Sequence, residues 1–413
     1  MVWEKVIYNT LFLCFLICIS CTKAQKTELD LEGVWHAELN INPEVIPFNF
    51  SLIKSGGKWR SEIYNAEEVL SYDEVDQIGD SLTIHMGIFD SQIKASLQRD
   101  GSIKGAFKKN HIEGYSIPFV AKKGTKDRFR VSSATTADFS GKWRTAFEKS
   151  TGERYDAIGI FKQEKNRITG TFLTSLGDYR FLEGNVDGES FSLSAFDGSH
   201  VYLFTGKRMD DGSVQGTFMS GPRYRESFVA VRDEEFELPD AYALNYLKEG
   251  HEKLSFSFPD LNKKMVSLED NQFKNKVVLV QLFGTWCPNC MDETKFLAEW
   301  YRKNKNRNIE IIALAFESRN DFDYARSRVK KTKERMNAEY TFLIAGENNK
   351  EKASEALPSL NQVIAFPTLI YIGRDGAVKK IHTGFSGPGT GAYYERWMEE
   401  HEDLVNRLLE EKI

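Results

Sequence analysis

Cysteine is nearly absent from the body of this chain. Of five cysteines in 413 residues, Cys14, Cys18 and Cys21 fall in an N-terminal apolar segment, which leaves only Cys287 and Cys290. That is too few for a scaffold stapled by several disulfides, the usual use of cysteine in exported proteins. It also argues against a structural zinc site, which needs a second C-x-x-C or a histidine pair. No second C-x-x-C exists, and the seven histidines (His36, His85, His111, His200, His251, His382, His401) form no H-x3-5-H pair. Long apolar runs are missing too. The longest, Leu11 to Ser20, holds ten residues, whereas a membrane-spanning helix needs about 20. Positive charge is in deficit: 55 Lys and Arg against 60 Asp and Glu, a formal net charge of −5. General attraction to nucleic acid or anionic lipid is therefore not expected, and no basic patch with interleaved aromatics is found. No cofactor motif stands out.

With 41% hydrophobic and 28% charged residues, the composition is that of soluble globular domains. The length suggests two or three of them.

The surviving cysteines sit two residues apart in Trp286-Cys287-Pro288-Asn289-Cys290, directly after the apolar run Val277 to Phe283. A buried strand running into a C-x-x-C at a helix start makes a thiol reactive. Only the thiolate attacks a disulfide, and a free cysteine titrates near 8.5. Unpaired N–H groups and the dipole at a helix N-terminus favour negative charge. Lowering the pKa to about 7 needs only ~2 kcal/mol. Pro288 suits the first helical turn, where its missing N–H costs nothing. Cys287 is thus the expected exposed nucleophile and Cys290 the resolving thiol. A purely structural disulfide is disfavoured, because so short a loop stabilises little.

The first 21 residues read as a signal peptide with a short h-region. Lys5 is offset by Glu4, and Ser20-Cys21 offers a lipobox-like end at which Cys21 would be acylated. Cleavage after Ala24, leaving Gln25 first, is the rival and would give a soluble exported protein. After processing at Cys21, Cys287 and Cys290 are the only free cysteines.

Residues 30–125 and 138–233 repeat one another. Gly33-Val34-Trp35 recurs as Gly141-Lys142-Trp143, and Asp100-Gly101-Ser102-Ile103-Lys104-Gly105-Ala106-Phe107 recurs as Asp211-Gly212-Ser213-Val214-Gln215-Gly216-Thr217-Phe218. Each copy reads as about eight short alternating strands, a meander closing into a barrel. Two barrels or one merged sandwich both fit. Trp35, Phe48, Phe50, Trp59, Trp143, Phe161 and Phe172 are read as core rather than as a binding cage. The acidic stretch before Pro239 marks a linker over 234–251, with a short helix expected at 241–251. Beyond it, strands near 277–283, 310–316, 341–345, 368–372 and 378–383 alternate with helices near 288–304, 321–337 and 391–411, an α/β order.

Residues 252–413 resemble the thioredoxin-fold thiol–disulfide oxidoreductases of the TlpA/ResA type. Phe256-Ser257-Phe258-Pro259-Asp260-Leu261 is similar to the family's entry segment. Lys274 to Val280 resembles its first core strand, with Asn275 where glycine is usual. Phe283 to Cys290 is similar to its F-W-A-x-W-C-x-x-C. Ala365-Phe366-Pro367-Thr368 resembles the cis-proline loop, which in this family lies against the cysteines and offers backbone groups to an incoming thiol or peptide. Arg374-Asp375-Gly376 reads as the following hairpin turn.

The resemblance implies a site of Cys287, Cys290, Glu293, Pro367 and Trp286. Glu293 is either a solvated first-turn glutamate favoured by the dipole or a buried group of raised pKa that shuttles a proton to or from Cys290. Trp286 is a packing residue or a shield for the sulfur. The resemblance favours a reductase of protein disulfides, with cytochrome c maturation as its setting and a membrane thiol as electron donor, while the signal segment and Cys21 imply a lipid-anchored protein of the bacterial envelope facing the periplasm. The competing function is a ligand- or partner-binding lipoprotein whose thioredoxin-like part is a redox-sensitive clamp. In that reading the barrels capture the partner; otherwise they are a spacer or docking module.

Overall fold

The computed structural model describes residues 31–124 and 127–412. The signal segment and Cys21 lie outside the described residues. Eight strands, from Gly33–Ile41 to Ser116–Lys123, each pair antiparallel with the next, and the last returns to the first with Leu39 opposite Phe119. The barrel is closed. Period-two alternation sends Trp35, Ala37, Leu39 and Ile41 inward from the first strand.

The second copy closes in the same way. Phe147 lies opposite Phe228, so Tyr224–Arg232 joins Gly141–Lys149. Arg154–Glu164 pairs with both Gly141–Lys149 and Arg167–Thr174, completing the ring. The two-residue strand Gly177–Asp178 folds back on the end of Arg167–Thr174. The repeat is therefore two barrels, but their cores touch. Phe196 of the second stands 4.4 Å from Phe48 and 4.9 Å from Phe107 of the first, centroid to centroid. Aromatic rings fill the second barrel, among them Phe147, Phe172, Phe204 and Phe218. Six of the seven aromatics assigned to the core are buried. Trp59 is the exception: its indole N–H donates to Gln77 on the outer face, and Lys54 lies over its ring.

The repeated octapeptide has a physical cause. Asp100 Oδ1 accepts from the Ser102 N–H and hydroxyl, and Asp211 Oδ1 does the same with Ser213. The glycine between them takes a left-handed φ in both copies, +78° at Gly101 and +82° at Gly212. Four residues on, a Cβ at Gly105 would stand 2.0 Å from the Lys94 carbonyl oxygen, and one at Gly216 would stand 2.2 Å from the Phe228 ring. Gly216→Ala is expected to lower the unfolding free energy by roughly 2–3 kcal/mol through overpacking. Urea unfolding followed by tryptophan fluorescence checks it, and a change under ~0.5 kcal/mol would refute the close-approach account.

The C-terminal sheet has the order Thr341–Glu347, Ile309–Glu317, Val277–Phe283, Thr368–Ile372, Val378–Thr383. The first three strands are parallel and the last two antiparallel. Every residue of Val277–Phe283 is buried, as expected for a central strand covered on both faces. Its alternate residues serve two cores. Val277, Leu279 and Phe283 meet the helices Pro288–Asn304, Phe322–Arg335 and Ala392–Glu410. Val278, Val280 and Leu282 meet Leu254, Phe256 and the helix Lys350–Ala356.

That last helix and the hairpin Ser257–Pro259/Met265–Ser267 were not anticipated. Residues 241–251 form turns, not the expected helix. The reason is external bonding. Asn245 Nδ2 donates to the Gln362 carbonyl and the Asn361 side chain, and the Lys248 N–H donates to the Ser359 carbonyl. Extended chain satisfies these partners where a helix would turn its backbone groups inward.

The first barrel packs directly on the C-terminal domain. Ile88 and Phe89 of the first barrel belong to the same buried cluster as Ala325 and Val329. Tyr324 donates its hydroxyl to Asp90 at 3.0 Å.

Candidate active site

Cys287 is the N-cap of Pro288–Asn304, in extended conformation, with Pro288 in the first turn. Its Sγ accepts the Cys290 N–H at 3.2 Å. The sulfur thus stands where a serine or aspartate oxygen would cap a helix. The two cysteines are joined as a disulfide with Cα atoms 5.2 Å apart. Cys290 is fully buried, and Cys287 is only 6% exposed. The expected order of exposure holds, but Cys287 is far less open than a solvent-facing nucleophile.

The Phe366–Pro367 bond is cis, and the Phe366 carbonyl oxygen lies 3.6 Å from Cys287 Sγ. Chain segments 79 residues apart are so brought together. Trp286 is half-buried, with its indole N–H donating to the Phe316 carbonyl at 2.8 Å and its ring edge-on to Phe366. It packs against the loop that meets the sulfur.

Glu293 lies on the first turns of the same helix and is fully buried, which removes the solvated reading. Burial pushes its pKa up to about 8, against a smaller downward pull from Gln281. Gln281 Nε2 donates to Glu293 Oε2 at 2.8 Å and to Thr294 Oγ1 at 3.2 Å. Glu293 Oε1 has no hydrogen-bond partner among the described residues. A protonated carboxyl is the form such a pocket favours near neutrality.

Sequence reasoning missed several residues here. Glu317, at the end of the apolar strand Ile309–Glu317, accepts from both the N–H and the hydroxyl of Thr285, at 2.8 and 2.7 Å. It fixes the turn that delivers Trp286 and Cys287. Burial pushes its pKa up, and the Thr285 hydrogen bonds oppose this. A carboxylate closing the apolar run Ile311 to Phe316 was the available signal.

The second barrel supplies the rest. Asn289, between the cysteines, donates its Nδ2 to the Asp178 carbonyl at 3.0 Å. Ser199 donates its hydroxyl to the Trp286 carbonyl at 3.1 Å. Asp178 Oδ2 accepts the Gly387 N–H. Arg180, buried, pairs with Asp292 of the active-site helix, Glu68 of the first barrel and Asp197 of the second. Burial pushes Asp292 up to about 7 against the pull of Arg180. Nothing local in the sequence marks these residues, since most of their partners come from another module.

Residues 248–395 match the family model described as Redoxin. Over this stretch the chain resembles Redoxin domains. It is similar to the thiol–disulfide oxidoreductase ResA of Bacillus thuringiensis subsp. konkukian, at 33% identity over 129 residues, 31% of this chain and 66% of that protein. The chain thus spans just under two thirds of that relative's length. ResA of Halalkalibacterium halodurans is 25% identical over 156 residues, 38% of this chain and 76% of that one. Among solved structures, a thiol:disulfide interchange protein of the thioredoxin family from Chlorobium tepidum matches with a TM-score of 0.29 and 19% identity, covering 38% of this chain and 95% of that one. All these matches leave most of the chain uncovered, and the Redoxin match lies wholly outside the two barrels. Among the described residues no helix is long and apolar enough to cross a membrane.

Proposed function

We propose that this protein is an extracytoplasmic thiol–disulfide oxidoreductase that reduces protein disulfides through its Cys-Pro-Asn-Cys pair. The observation that carries the reading is the Cys287 sulfur in the N-cap position, accepting the Cys290 N–H. A thiolate there gains the same hydrogen bond and the helix dipole.

In the reduced protein, Cys287 thiolate attacks one sulfur of the substrate disulfide and expels the other as a thiolate. Cys290, deprotonated, then attacks the Cys287 sulfur of the mixed disulfide. The substrate leaves with two electrons and the pair becomes the disulfide. Glu293, whose pKa of about 8 lies close to that of a thiol, accepts the Cys290 proton in this step in the fraction of molecules where it is ionised, a fraction that grows as pH rises toward 8. The Pro367 loop holds the incoming chain beside Cys287, and Trp286 supports that loop through Phe366. A membrane thiol donor restores the dithiol. The resemblance to the TlpA/ResA type supports the reductive direction and a place in cytochrome c maturation.

Acylation at Cys21 would tether the protein to the membrane, facing the periplasm, because a diacyl anchor with a third chain far exceeds the marginal hold of one chain. Reduction of a protein disulfide by the full chain, compared with Cys287→Ser, tests the activity. The reduction potential tests its direction. Changing Cys21 to Ala should move the protein from the membrane fraction to the soluble one. A mature N-terminus at Gln25 would instead establish the rival cleavage.

A further inference from the structure

The geometry points to the tip of the second barrel as a specificity wall over the redox pair, one that admits small or extended disulfides and turns away folded protein surfaces. The proposal rests on thiol–disulfide exchange at Cys287.

Two loops of the barrel reach the site. Residues 176–180 lie along the helix start and the loop 384–387. The Asp178 carbonyl holds Asn289, and its carboxylate holds the Gly387 N–H at 2.5 Å. The fit there is close: a Cβ placed on Gly384 would stand 2.7 Å from the Leu176 backbone, and one on Gly177 would stand 3.2 Å from the Asn289 amide. The second loop brings Ser199 onto the carbonyl of Trp286, the residue before the nucleophile. Hydrogen bonds from the barrel therefore end on residues immediately before and between the cysteines. Cys287 keeps 6% exposure.

The wall is braced from behind. Ser91 and Tyr72 of the first barrel donate to the carbonyls of Gly198 and Asp197, at 2.5 and 2.7 Å. Arg180 joins all three modules through Asp292, Asp197 and Glu68. A buried arginine with several carboxylates gives orientation through its rigid fork of donors, and removing it strands buried negative charge. Arg180 touches neither sulfur. It is a positioning residue for the wall.

The approach left to a macromolecular substrate is past Phe366, which is half-buried and has its carbonyl 3.6 Å from Cys287 Sγ, with Pro367 buried behind it. An extended segment or a small disulfide such as glutathione disulfide fits that approach, whereas a folded surface meets residues 176–180 and 199.

The test uses the reduced full-length chain with Cys14→Ala, Cys18→Ala, Cys21→Ala and Cys290→Ser, so that Cys287 is the one thiol left to label. Iodoacetamide and a maleimide carried on a polymer of protein size are compared, each rate being referred to the same reagent on a free cysteine peptide. In parallel, the protein with both cysteines is assayed on glutathione disulfide and on a folded protein disulfide. The expected result is a relative rate for the large maleimide at least about tenfold below that for iodoacetamide, ~1.4 kcal/mol in barrier. Arg180→Ala should bring the two relative rates together with the iodoacetamide rate changed less than about twofold. Arg180→Lys, which keeps a positive charge, should fall between, and it serves where the alanine variant does not fold. A merely structural role for Arg180 would lower all rates together. Equal relative rates in the protein with Arg180 intact, or a ratio unmoved in a folded Arg180 variant, would overturn the wall. A protein that labels size-selectively but reduces neither disulfide would overturn the proposed function while leaving the barrier in place.

Discussion

Cys287→Ser is expected to abolish disulfide reduction, with a loss on the order of 10³-fold or more, because the attacking atom itself is removed. Cys290→Ser should behave differently. It keeps the nucleophile at the N-cap and removes the resolving thiol, so substrate should accumulate as a mixed disulfide on Cys287. Mass spectrometry of the non-reduced protein detects that adduct. The same variant should be alkylated near neutrality faster than a free cysteine, since the helix N-terminus stabilises the thiolate. The basis is the 3.2 Å approach of the Cys290 N–H to Cys287 Sγ. Alkylation no faster than that of a free cysteine would refute the capping argument. An adduct found on Cys290 in Cys287→Ser, with turnover retained, would reverse the two roles.

Glu293→Gln should make the protein more stable at alkaline pH and flatten part of its pH dependence. The ordinary glutamate value is 4.5, and burial raises Glu293 to about 8 in the folded chain. Between these values the folded state holds a proton that the unfolded state has released. The stability linked to this group is therefore fully present below about pH 4.5 and falls as pH rises through 8. At 1.36 kcal/mol per unit, the whole window is worth at most about 5 kcal/mol. Glutamine keeps the shape and an oxygen for Gln281 Nε2, but does not ionise. Unfolding free energies of the oxidised wild type and variant, from urea titrations at pH 5.5 and 8.5, should differ by about 3 kcal/mol more at the higher pH, since only about one unit of the window lies below pH 5.5. A difference equal at both would show that Glu293 is not held protonated. The same variant should slow release of the mixed disulfide without preventing its formation, which separates a proton-transfer role from loss of the fold.

The cysteine pair of the thioredoxin-like part was legible in the chain because its signal is local. C-x-x-C after an apolar strand specifies a helix N-terminus with a sulfur at the cap, and the strand's uninterrupted burial follows from its composition. The elements Val277–Phe283, Pro288–Asn304, Thr368–Ile372 and Val378–Thr383 fall where periodicity and turn residues place them. The duplication was equally legible, since Asp100 and Asp211 cap the same turn and Gly105 and Gly216 face the same close approach.

Other features depended on partners distant in sequence. Whether Glu293 is solvated or buried cannot be read from a first-turn glutamate, because its environment is set by Gln281 on the central strand, 12 residues away. The turns at 241–251 take their hydrogen bonds from residues 359–362, more than 100 positions on. The covering of the pair by the second barrel is the extreme case. Asp178, Arg180 and Ser199 carry no local signal, since a polar residue in a turn reads as solvated until the surface opposite it is known. Sequence alone determined the reactive pair, its helix cap and the repeated barrels, because each is set by neighbours within a few residues. Tertiary structure decided what the pair can meet, because the walls around it are built from charges and backbone groups that come together only when all three modules pack.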